Sequence, residues 1–376
     1  MAQQPVVAHC ANPFLPLTMV WMYDQLRSLK RYRAVVLTQG EQNREAFPFE
    51  PVYSSERLSA WRRNLYRAIR KVRGTYAGYG RWLRQEEAVV MHAHFGQEGY
   101  RCLEAAREMQ IPLVTTFYGM DVSALPRQAV WQRRFRRLFA EGDLFLAEGP
   151  CMGENLVGIG CPTEKVCIQK LGVDLEAISY VSPEERSGAS PVVLTYAAFR
   201  EKKGLVYALR AFQRVCEPHP EVRMRMIGDG LLRGEIEAEI GRLGLGDRVI
   251  LLGMQSHEAS LEELGRAAVL LYPSVTASDG DTEGGAPVGL IEAMASGVPV
   301  VSSIHADIPH VVPDGQCGLL FPEKDVAGLA EGLDFLLGSA ERRAEMGREG
   351  RKHVEVHHNL RRQGEHLEGI YDRVRA

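Results

Sequence analysis

This chain of 376 residues lacks three features that would each fix a protein class at once. It has no run of about 18 uninterrupted apolar residues, so the sequence predicts no membrane-spanning helix. Its formal net charge is -3, whereas a dedicated nucleic-acid-binding domain is strongly basic, so we expect no nucleic acid partner. Its first residues, MAQQPVVAHC, contain no basic segment followed by a long apolar one. We therefore expect no secretory signal peptide and a cytoplasmic location.

Cysteine is also sparse. The seven cysteines are odd in number, scattered, and never form a CxxC pair, which is typical of buried thiols in a reducing compartment. The content of 45% hydrophobic and 25% charged residues is ordinary for a soluble chain. On the soft prior of about 150 residues per domain, the length predicts two domains.

The apolar residues occur in short runs rich in Val, Ile and Leu, which alternate with longer segments of helical period. This alternation predicts parallel sheets flanked by helices. The series occurs twice, over residues 6–172 and again over residues 192–304, and the polar segment 179–191 between them reads as a linker. We therefore predict an α/β protein with two Rossmann-like doubly wound parallel-sheet domains, 1–178 and 192–354, facing across a cleft.

The stretch SDGDTEGGAPVGLIEAMASGVPVV, residues 278–301, combines acids, glycines and prolines around one short helix. It follows the predicted strand 268–274. Pro287 fits the first turn of that helix, where its missing N–H costs nothing, and Gly297 fits the C-terminal cap. The pattern therefore predicts a unit of strand, loop, helix and strand.

The start of this helix is suited to an anion. The amide groups near Gly285 to Gly289 would be unpaired and aimed outward, and the helix dipole adds to their effect. Glu292, about one and a half turns further, could accept hydrogen bonds from a ribose diol, while Glu283 could reach the other end of the same ligand. The ligand implied carries phosphate and hydroxyl groups together, as a nucleotide sugar does. The alternative is that both glutamates are solvated charges and the glycines only form turns.

Five ordered segments resemble the retaining GT-B glycosyltransferases of family 4, especially those that build bacterial exopolysaccharide, lipopolysaccharide and colanic acid. The resemblance covers nearly the whole chain and is strongest over about 192–322. The segments are FREKKGLVYALRAF (199–212), MRMIGDGLLRGEIE (224–237), LGLGDRVILLG (243–253), the glutamate-containing stretch above, and IPHVVPDGQCGLLF (308–321).

The resemblance implies a nucleotide diphosphate sugar as donor, retention of the anomeric configuration, and no metal or other cofactor. Lys203 would grip the diphosphate, Glu292 would hold the ribose, and Glu283 would act at the donor sugar. The backbone of Gly284, Gly285, Ala286, Pro287 and Val288 would face the same sugar. A last helix at about 355–376 would pack back on the first domain.

Three positions depart from the family pattern. Eight residues separate Glu283 from Glu292 where the family usually has seven, so the loop holds one extra residue. The usual phosphate arginine, five residues before the lysine, is Ala198, and Arg200 is the candidate substitute or a solvent-facing charge. His310 occupies the place of a common glutamate, and its role is open.

In the first half, HAHFG (92–96) and TTFYGMDVS (115–123) resemble the acceptor-side loops of the family. His94 and Asp121 would line the reacting centre, with Tyr118 and Gly119 on the acceptor side. A structural role for His94 is the equal alternative. The segment 11–26 replaces a frequent glycine-rich loop and predicts apolar walls of an acceptor pocket or, equally, part of the core.

Two arginine-rich segments, 58–84 and 127–137, interleave cations with aromatic residues. Basic amphipathic helices of this kind lie on anionic membrane surfaces. The resemblance to the family implies a glycan or lipid-linked acceptor, and together with these segments it leads us to expect reversible attachment to the cytoplasmic face of the inner membrane. The alternative is that both segments are ordinary solvated helix faces.

Three other functions are alternatives. An NAD-dependent enzyme is disfavoured because the glycines at 228, 230 and 234 are spaced one residue off the dinucleotide pattern, with no acid about 20 residues later. A nucleotide-sugar epimerase would share the fold and donor but lack the basic loop with its paired glutamates. A two-lobed sugar-binding protein would need export. The sequence leaves open the donor base and sugar, the acceptor, the linkage and the oligomeric state.

Overall fold

The computed structural model describes residues 4–16, 19–182, 190–285 and 287–376. The chain divides into two units, Met1–Gly172 with Leu360–Ala376, and Val173–Asn359. Most of the predicted linker 179–191 lies outside the described residues.

The first unit is built on one parallel sheet in the order β3-β2-β1-β4-β5-β6-β7. Its strands are β1 (Val6–Cys10), β2 (Arg33–Thr38), β3 (Val52–Ser54), β4 (Ala88–His94), β5 (Leu113–Thr116), β6 (Leu144–Ala147) and β7 (Val166–Ile168). Its helices are α1 (Val20–Ser28), α2 (Ala60–Arg73), α3 (Tyr79–Gln85), α4 (Gly96–Met109), α5 (Ala129–Glu141), α6 (Pro150–Gly158) and a last one described below.

The second unit repeats this plan with a parallel sheet in the order β10-β9-β8-β11-β12-β13. Its strands are β8 (Val192–Tyr196), β9 (Arg223–Ile227), β10 (Val249–Gly253), β11 (Val269–Tyr272), β12 (Val300–Ser303) and β13 (Gly318–Phe321). Its helices are α7 (Leu205–Val215), α8 (Arg233–Arg242), α9 (His257–Arg266), α10 (Val288–Ala295), α11 (Ile308–Val311), α12 (Val326–Leu337) and α13 (Ala340–His357).

The last helix, α14 (Leu360–Arg375), belongs to the first unit. Leu367, Ile370 and Tyr371 on its inner face are fully buried in a cluster with Val7 of β1 and Val90 of β4. The opposite face of the same sheet carries a separate aromatic cluster. Both faces of β1 and β4 are therefore covered, which explains why these strands are continuous apolar runs rather than alternating ones.

The predicted fold class, two Rossmann-like doubly wound domains, is confirmed. The short strand β3 was not among the predicted runs, because it has only three residues at the edge of the sheet. In both units the strand order reverses once, between β1 and β4 and between β8 and β11. Open α/β sheets bind ligands beyond the carboxyl ends of the strands at such a reversal, so these two places are the expected ligand sites.

Candidate functional site

In the second unit, the segments that follow β8 and β11 span residues 197–204 and 273–287. They hold Lys203, Glu283 and the loop glycines of the predicted donor site. Gly228, which follows the neighbouring β9, allows the backbone after β9 to pack against the backbone after β8. Its φ is +134°, and a Cβ there would lie 1.9 Å from the Ala197 carbonyl oxygen. The candidate donor site is built from these loops and from α10 behind them.

Glu283 is held in this loop as a buried, ionised carboxylate with only 6% of the residue exposed. The Ser274 hydroxyl donates to its Oε1 at 2.9 Å, and Lys203 Nζ donates to its Oε2 at 2.8 Å. Burial alone would raise the pKa of Glu283, but the ammonium groups of Lys203 and Lys202 hold that pKa below the ordinary glutamate value. A negative charge is therefore fixed at this point and is not simply solvated.

Lys203 is positioned by the turn that carries it. The 3-10 turn Glu201–Lys203 ends at Gly204, where φ is +62° and a Cβ would lie 1.8 Å from the Pro273 carbonyl oxygen, so only glycine fits. The Tyr272 hydroxyl accepts from Lys203 Nζ at 2.7 Å. The same ammonium also lies 2.6 Å from Oε1 of Glu283, so it contacts both oxygens of that carboxylate. An incoming anion would therefore share Lys203 with Glu283.

Glu292 lies in the second turn of α10 and is 4% exposed. Its Oε1 is 2.7 Å from Nε2 of His257, the first residue of α9. Within the described part of the chain, its Oε2 is buried and makes no hydrogen bond of good geometry, although the Tyr196 hydroxyl lies near enough that, in addition to burial, the Glu292 carboxylate raises the pKa of Tyr196. A buried carboxylate oxygen left in this state is costly unless a donor reaches it, so Oε2 is the natural acceptor for a ligand hydroxyl.

The start of α10 differs in detail from the prediction. Pro287 has ψ of 114° and is therefore the N-cap rather than a first-turn residue, and no side chain caps the helix. Val288 is its first residue, so the unpaired amides begin there. Gly284 and Gly285 lie in the loop before it, whereas Ala286 lies outside the described residues.

The two substituted family positions lie on the surface. Arg200 is exposed at the N-cap of the turn that leads to Lys203, and its pairing with a phosphate stays a prediction. His310 is exposed in the last turn of α11. Neither side chain is brought into the cluster around Glu283.

At the strand reversal of the first unit, three histidines lie together. His9 of β1 pairs in register with His92 of β4, and His94 follows two residues later. All three rings are buried, and the nitrogens that could bind a metal lie within 4.8 Å of one another. His94 is the only one of the three that the sequence prediction included.

Hydrogen bonds account for most of these ring nitrogens. His9 Nδ1 lies 2.9 Å from His94 Nε2, and His94 Nδ1 lies 2.6 Å from the Tyr118 hydroxyl. His92 lies 2.6 Å from the Tyr371 hydroxyl and 2.7 Å from the Thr116 hydroxyl. Burial lowers the pKa of His94 to about 3. His92 and His94 are therefore neutral imidazoles with hydroxyl partners that an ion would have to displace, whereas His9 Nε2 is buried without a hydrogen-bond partner among the described residues.

Asp121 organises the loops beside this cluster. It is fully buried, and its carboxylate accepts backbone N–H groups from Gly96 at 2.8 Å, Tyr118 at 3.0 Å and Gly119 at 2.9 Å. Burial raises the pKa of Asp121 against the lowering effect of these amides. The structure thus places Asp121, Tyr118, Gly119 and His94 in one loop cluster, with both oxygens of Asp121 bonded to backbone.

The two arginine-rich segments differ. In α5, Trp131, Phe135 and Phe139 are core residues, so that segment offers charge but little apolar surface. No residue of α2 is buried, and its exposed Trp61 (64%) and Val72 (86%) lie with Leu65 on one face of the helix, at positions i, i+4 and i+11. In the part of the chain described, no helix is both long and apolar enough to cross a membrane.

Sequence reasoning missed His9, His257 and His305, which all contact predicted site residues or their backbone. Only His257 carried a local signal, because Ser256 before it is an N-cap that places it at the start of a helix. The other two are brought in by pairing of strands that are distant in sequence.

Two Rossmann-like units, the second with a lysine and two buried glutamates at its strand reversal, define the GT-B class of fold. Residues 20–177 match the model of Glycosyltransferase Family 4, and residues 181–353 match that of Glycosyl transferases group 1. The chain therefore belongs to the glycosyltransferase family that carries these two domains in succession.

Among curated proteins, the chain is 36% identical over 251 residues to the putative colanic acid biosynthesis glycosyltransferase WcaL of Escherichia coli, covering 65% of this chain and 61% of that protein. It is 34% identical over 245 residues to the amylovoran biosynthesis glycosyltransferase AmsK of Erwinia amylovora, covering 65% and 60%. The chain thus spans about 60% of the length of the curated relatives that it matches.

Solved structures share the fold over nearly the full length. The Anabaena HepE structure in complex with UDP and glucose superposes with a TM-score of 0.80 at 16% identity, over 98% of this chain and 100% of that one. Sucrose-phosphate synthase of Thermosynechococcus elongatus gives 0.79 at 17% identity, over 98% and 99%. At such identities the likeness shows the fold alone.

Proposed function

We propose that this protein is a retaining, metal-independent glycosyltransferase. It moves a sugar from a nucleotide diphosphate sugar to a glycan or lipid-linked acceptor in cell-surface polysaccharide biosynthesis. The observation that carries the proposal is a group of buried side chains beyond β8 and β11 of the second unit. There Glu283 is ion-paired to Lys203, and one oxygen of Glu292 makes no hydrogen bond of good geometry among the described residues.

Three parts of a nucleotide sugar, namely the ribose, the diphosphate and the sugar, each have a matching group among these residues. The unbonded oxygen of Glu292 suits the ribose diol, and the uncapped start of α10 with Lys203 suits the diphosphate. Glu283, fixed and ionised, suits the hydroxyls of the donor sugar. The names of the relatives, which include colanic acid and amylovoran glycosyltransferases, support a polysaccharide product, and the neighbour crystallised with UDP and glucose supports a sugar nucleotide.

Metal independence and retention rest on charge and on family likeness. Lys203 and the start of α10, with Arg200 as the predicted further cation, would neutralise the departing diphosphate, which is the task a metal ion performs elsewhere. The acceptor would attack the face that the diphosphate leaves, and a diphosphate oxygen would take the acceptor proton. His94, Tyr118, Gly119 and Asp121 in the first unit would hold the acceptor.

Attachment to an anionic membrane would use α2 rather than α5. The helix presents Trp61, Leu65 and Val72 on one exposed face, with arginines on the rest of its surface. Such a helix lies in the interface with its apolar face toward the acyl chains. The protein would then act as a peripheral protein on the cytoplasmic face of the inner membrane.

The donor proposal is tested by thermal unfolding with UDP, GDP, ADP, their sugar conjugates and NAD, each with and without EDTA. A nucleotide at 100 times its dissociation constant stabilises a protein by about 2.7 kcal/mol. We expect one base to stabilise the protein and EDTA to leave that shift unchanged. Stabilisation by NAD alone, or by none of these compounds, would contradict the proposal, and loss of the shift in EDTA would contradict metal independence.

The membrane proposal is tested by flotation with anionic and neutral liposomes. The variant replaces three arginines of α2 by glutamine. These are Arg62, Arg63 and Arg67. At about 1 kcal/mol per charge, partition into anionic liposomes should fall roughly 150-fold. A control with the same charge change on α13 replaces Arg342, Arg348 and Lys352. Equal loss in both variants, or equal flotation of the wild type with both liposomes, would refute attachment through α2.

A further inference from the structure

Two residues outside the predicted site hold the backbone of the Glu283 loop. His305 follows β12 and is 3% exposed, and Glu323 follows β13. The backbone N–H of Glu283 donates to His305 Nε2 at 3.0 Å, and His305 Nδ1 lies 2.6 Å from Glu323 Oε1. The chain of contacts therefore runs from the carboxylate of Glu323 through the imidazole to the residue that would meet the donor sugar.

The contacts fix the tautomer of His305. A backbone N–H can only donate, so Nε2 must carry a lone pair, and the proton of the neutral ring must sit on Nδ1. That Nδ1–H donates to Glu323. Burial alone would raise the pKa of Glu323, but the hydrogen bonds from His305 and from the Thr276 backbone hold that pKa below its usual value. Glu323 is therefore an ionised acceptor that orients the ring.

Glu323 also holds the other end of the same loop. Its Oε2 accepts the Thr276 N–H at 2.8 Å, and its Oε1 accepts the Thr276 hydroxyl at 3.1 Å. Thr276 begins the segment that ends at Glu283, so His305 and Glu323 together pin both ends of residues 276–283. This double attachment fixes where the Glu283 backbone sits, independently of the Lys203 ion pair on its side chain.

The backbone next to both residues is strained. Ala306, after His305, has φ of +46°, and Lys324, after Glu323, has φ of +66°. Left-handed conformations are unfavourable for residues other than glycine and persist where surrounding contacts demand them. Each strained residue immediately follows one of the two side chains that hold the loop. Strain at these positions is therefore consistent with a functional constraint on the loop.

We propose that His305 is a positioning residue and Glu323 its orienting partner, which together set Glu283 against the sugar of the donor. The inference rests on the proposed donor site. It predicts that loss of His305 weakens binding of the sugar moiety, which Glu283 would contact. Binding of the nucleoside diphosphate should stay nearly unchanged.

The test compares His305→Leu and His305→Gln with the wild type by isothermal titration. The probes are the nucleoside diphosphate that binds the wild type and its sugar conjugate. Leucine removes the acceptor for the Glu283 amide, whereas a glutamine oxygen can replace it. Loss of one such hydrogen bond should lower the affinity for the sugar conjugate about tenfold, with the nucleoside diphosphate changed less than about threefold. Glutamine should restore much of the difference.

A matched control is His219→Leu, which breaks another histidine–carboxylate pair, with Asp334 at 2.8 Å, in the same unit before β9. It should leave both affinities unchanged. Equal weakening of both ligands in His305→Leu would mean a merely structural role, and an unchanged sugar conjugate affinity would overturn the proposal.

A second measurement is made on the wild-type protein and uses a variant only to assign the signal. In the wild type labelled with ¹⁵N-histidine, His305 Nε2 should resonate as an unprotonated nitrogen and Nδ1 as a protonated one, the signal being assigned by its loss in His305→Gln. A protonated Nε2 would refute the dyad whatever the protein binds. If the dyad is present but no nucleotide binds the wild type, the proposed function fails instead, and the role of His305 in donor recognition falls with it.

Discussion

Replacing Glu292 by glutamine should weaken nucleotide binding without unfolding the protein. In the structure, Oε1 of Glu292 faces His257 Nε2 at 2.7 Å, and Oε2 is the buried oxygen left for a ligand among the described residues. A glutamine keeps an oxygen for His257 and has nearly the same volume, but it loses the charge and one acceptor. The fold should therefore change by no more than about 1 kcal/mol, the scale of one ordinary hydrogen bond.

The cost to binding is larger because hydrogen bonds to charged groups are worth about 1.5–3 kcal/mol. That range corresponds to a roughly 10- to 150-fold rise in the dissociation constant. At a nucleotide concentration 100 times the wild-type dissociation constant, stabilisation of the wild type is about 2.7 kcal/mol. For the variant the same relation gives only about 0.3–1.4 kcal/mol.

The assay is thermal unfolding over a nucleotide titration, with isothermal titration for the affinity itself. The control is Glu349→Gln on α13, where the glutamate is half exposed and pairs with Lys352 at 2.7 Å. It should bind like the wild type. If Glu292→Gln folds normally and binds the nucleotide with unchanged affinity, Glu292 does not hold the ribose and the reasoning from its unbonded oxygen is refuted.

Three further changes have definite expected outcomes. Tyr371→Phe leaves buried His92 Nδ1 without its hydroxyl at 2.6 Å and should cost about 1–3 kcal/mol; an unfolding temperature equal to that of the wild type would contradict the bond. Lys203→Met should destabilise most at neutral pH, because the depressed pKa of Glu283 means that its contribution is present above the ordinary glutamate value and is lost as the pH falls. A destabilisation that does not shrink in acid would contradict the ion pair. Gly204→Ala places a Cβ 1.8 Å from a carbonyl oxygen at φ of +62°, so soluble yield or melting temperature should fall sharply, and normal melting would disprove the need for glycine.

The fold was predictable because its signals are local. The apolar runs of β1, β4, β8 and β11 are each long enough to be seen as buried strands, and the segments between them have helical period. The strand β3 was not predicted, because a strand of three residues at the edge of a sheet needs little apolar surface. The placement of Glu283 and Glu292 on a loop and a helix after β11 also followed from local pattern.

The partners of those residues were not predictable in the same way. His257 and Glu292 are 35 positions apart, and Glu283 and His305 are 22 apart. Such contacts depend on which strand ends become neighbours and on side-chain directions at each end. Direct pairing of Lys203 with Glu283 is likewise not predictable from local pattern, because the two residues are 80 positions apart. The donor and acceptor roles themselves stay predictions that the binding measurements address.

The helix α14 has a consequence for how the chain is made and divided. Its residues Leu367 and Tyr371 complete the buried face of the first sheet beside Val7, yet they are synthesised only after the whole second unit. Domains generally fold as they emerge from the ribosome, but here the part of the first sheet that α14 covers stays exposed until the second unit has been synthesised. A fragment that stops at residue 172 would keep that face exposed, whereas a fragment that joins residues 1–172 to 360–376 carries its own cover. Any exchange of donor units between relatives should therefore move residues 173–359 alone.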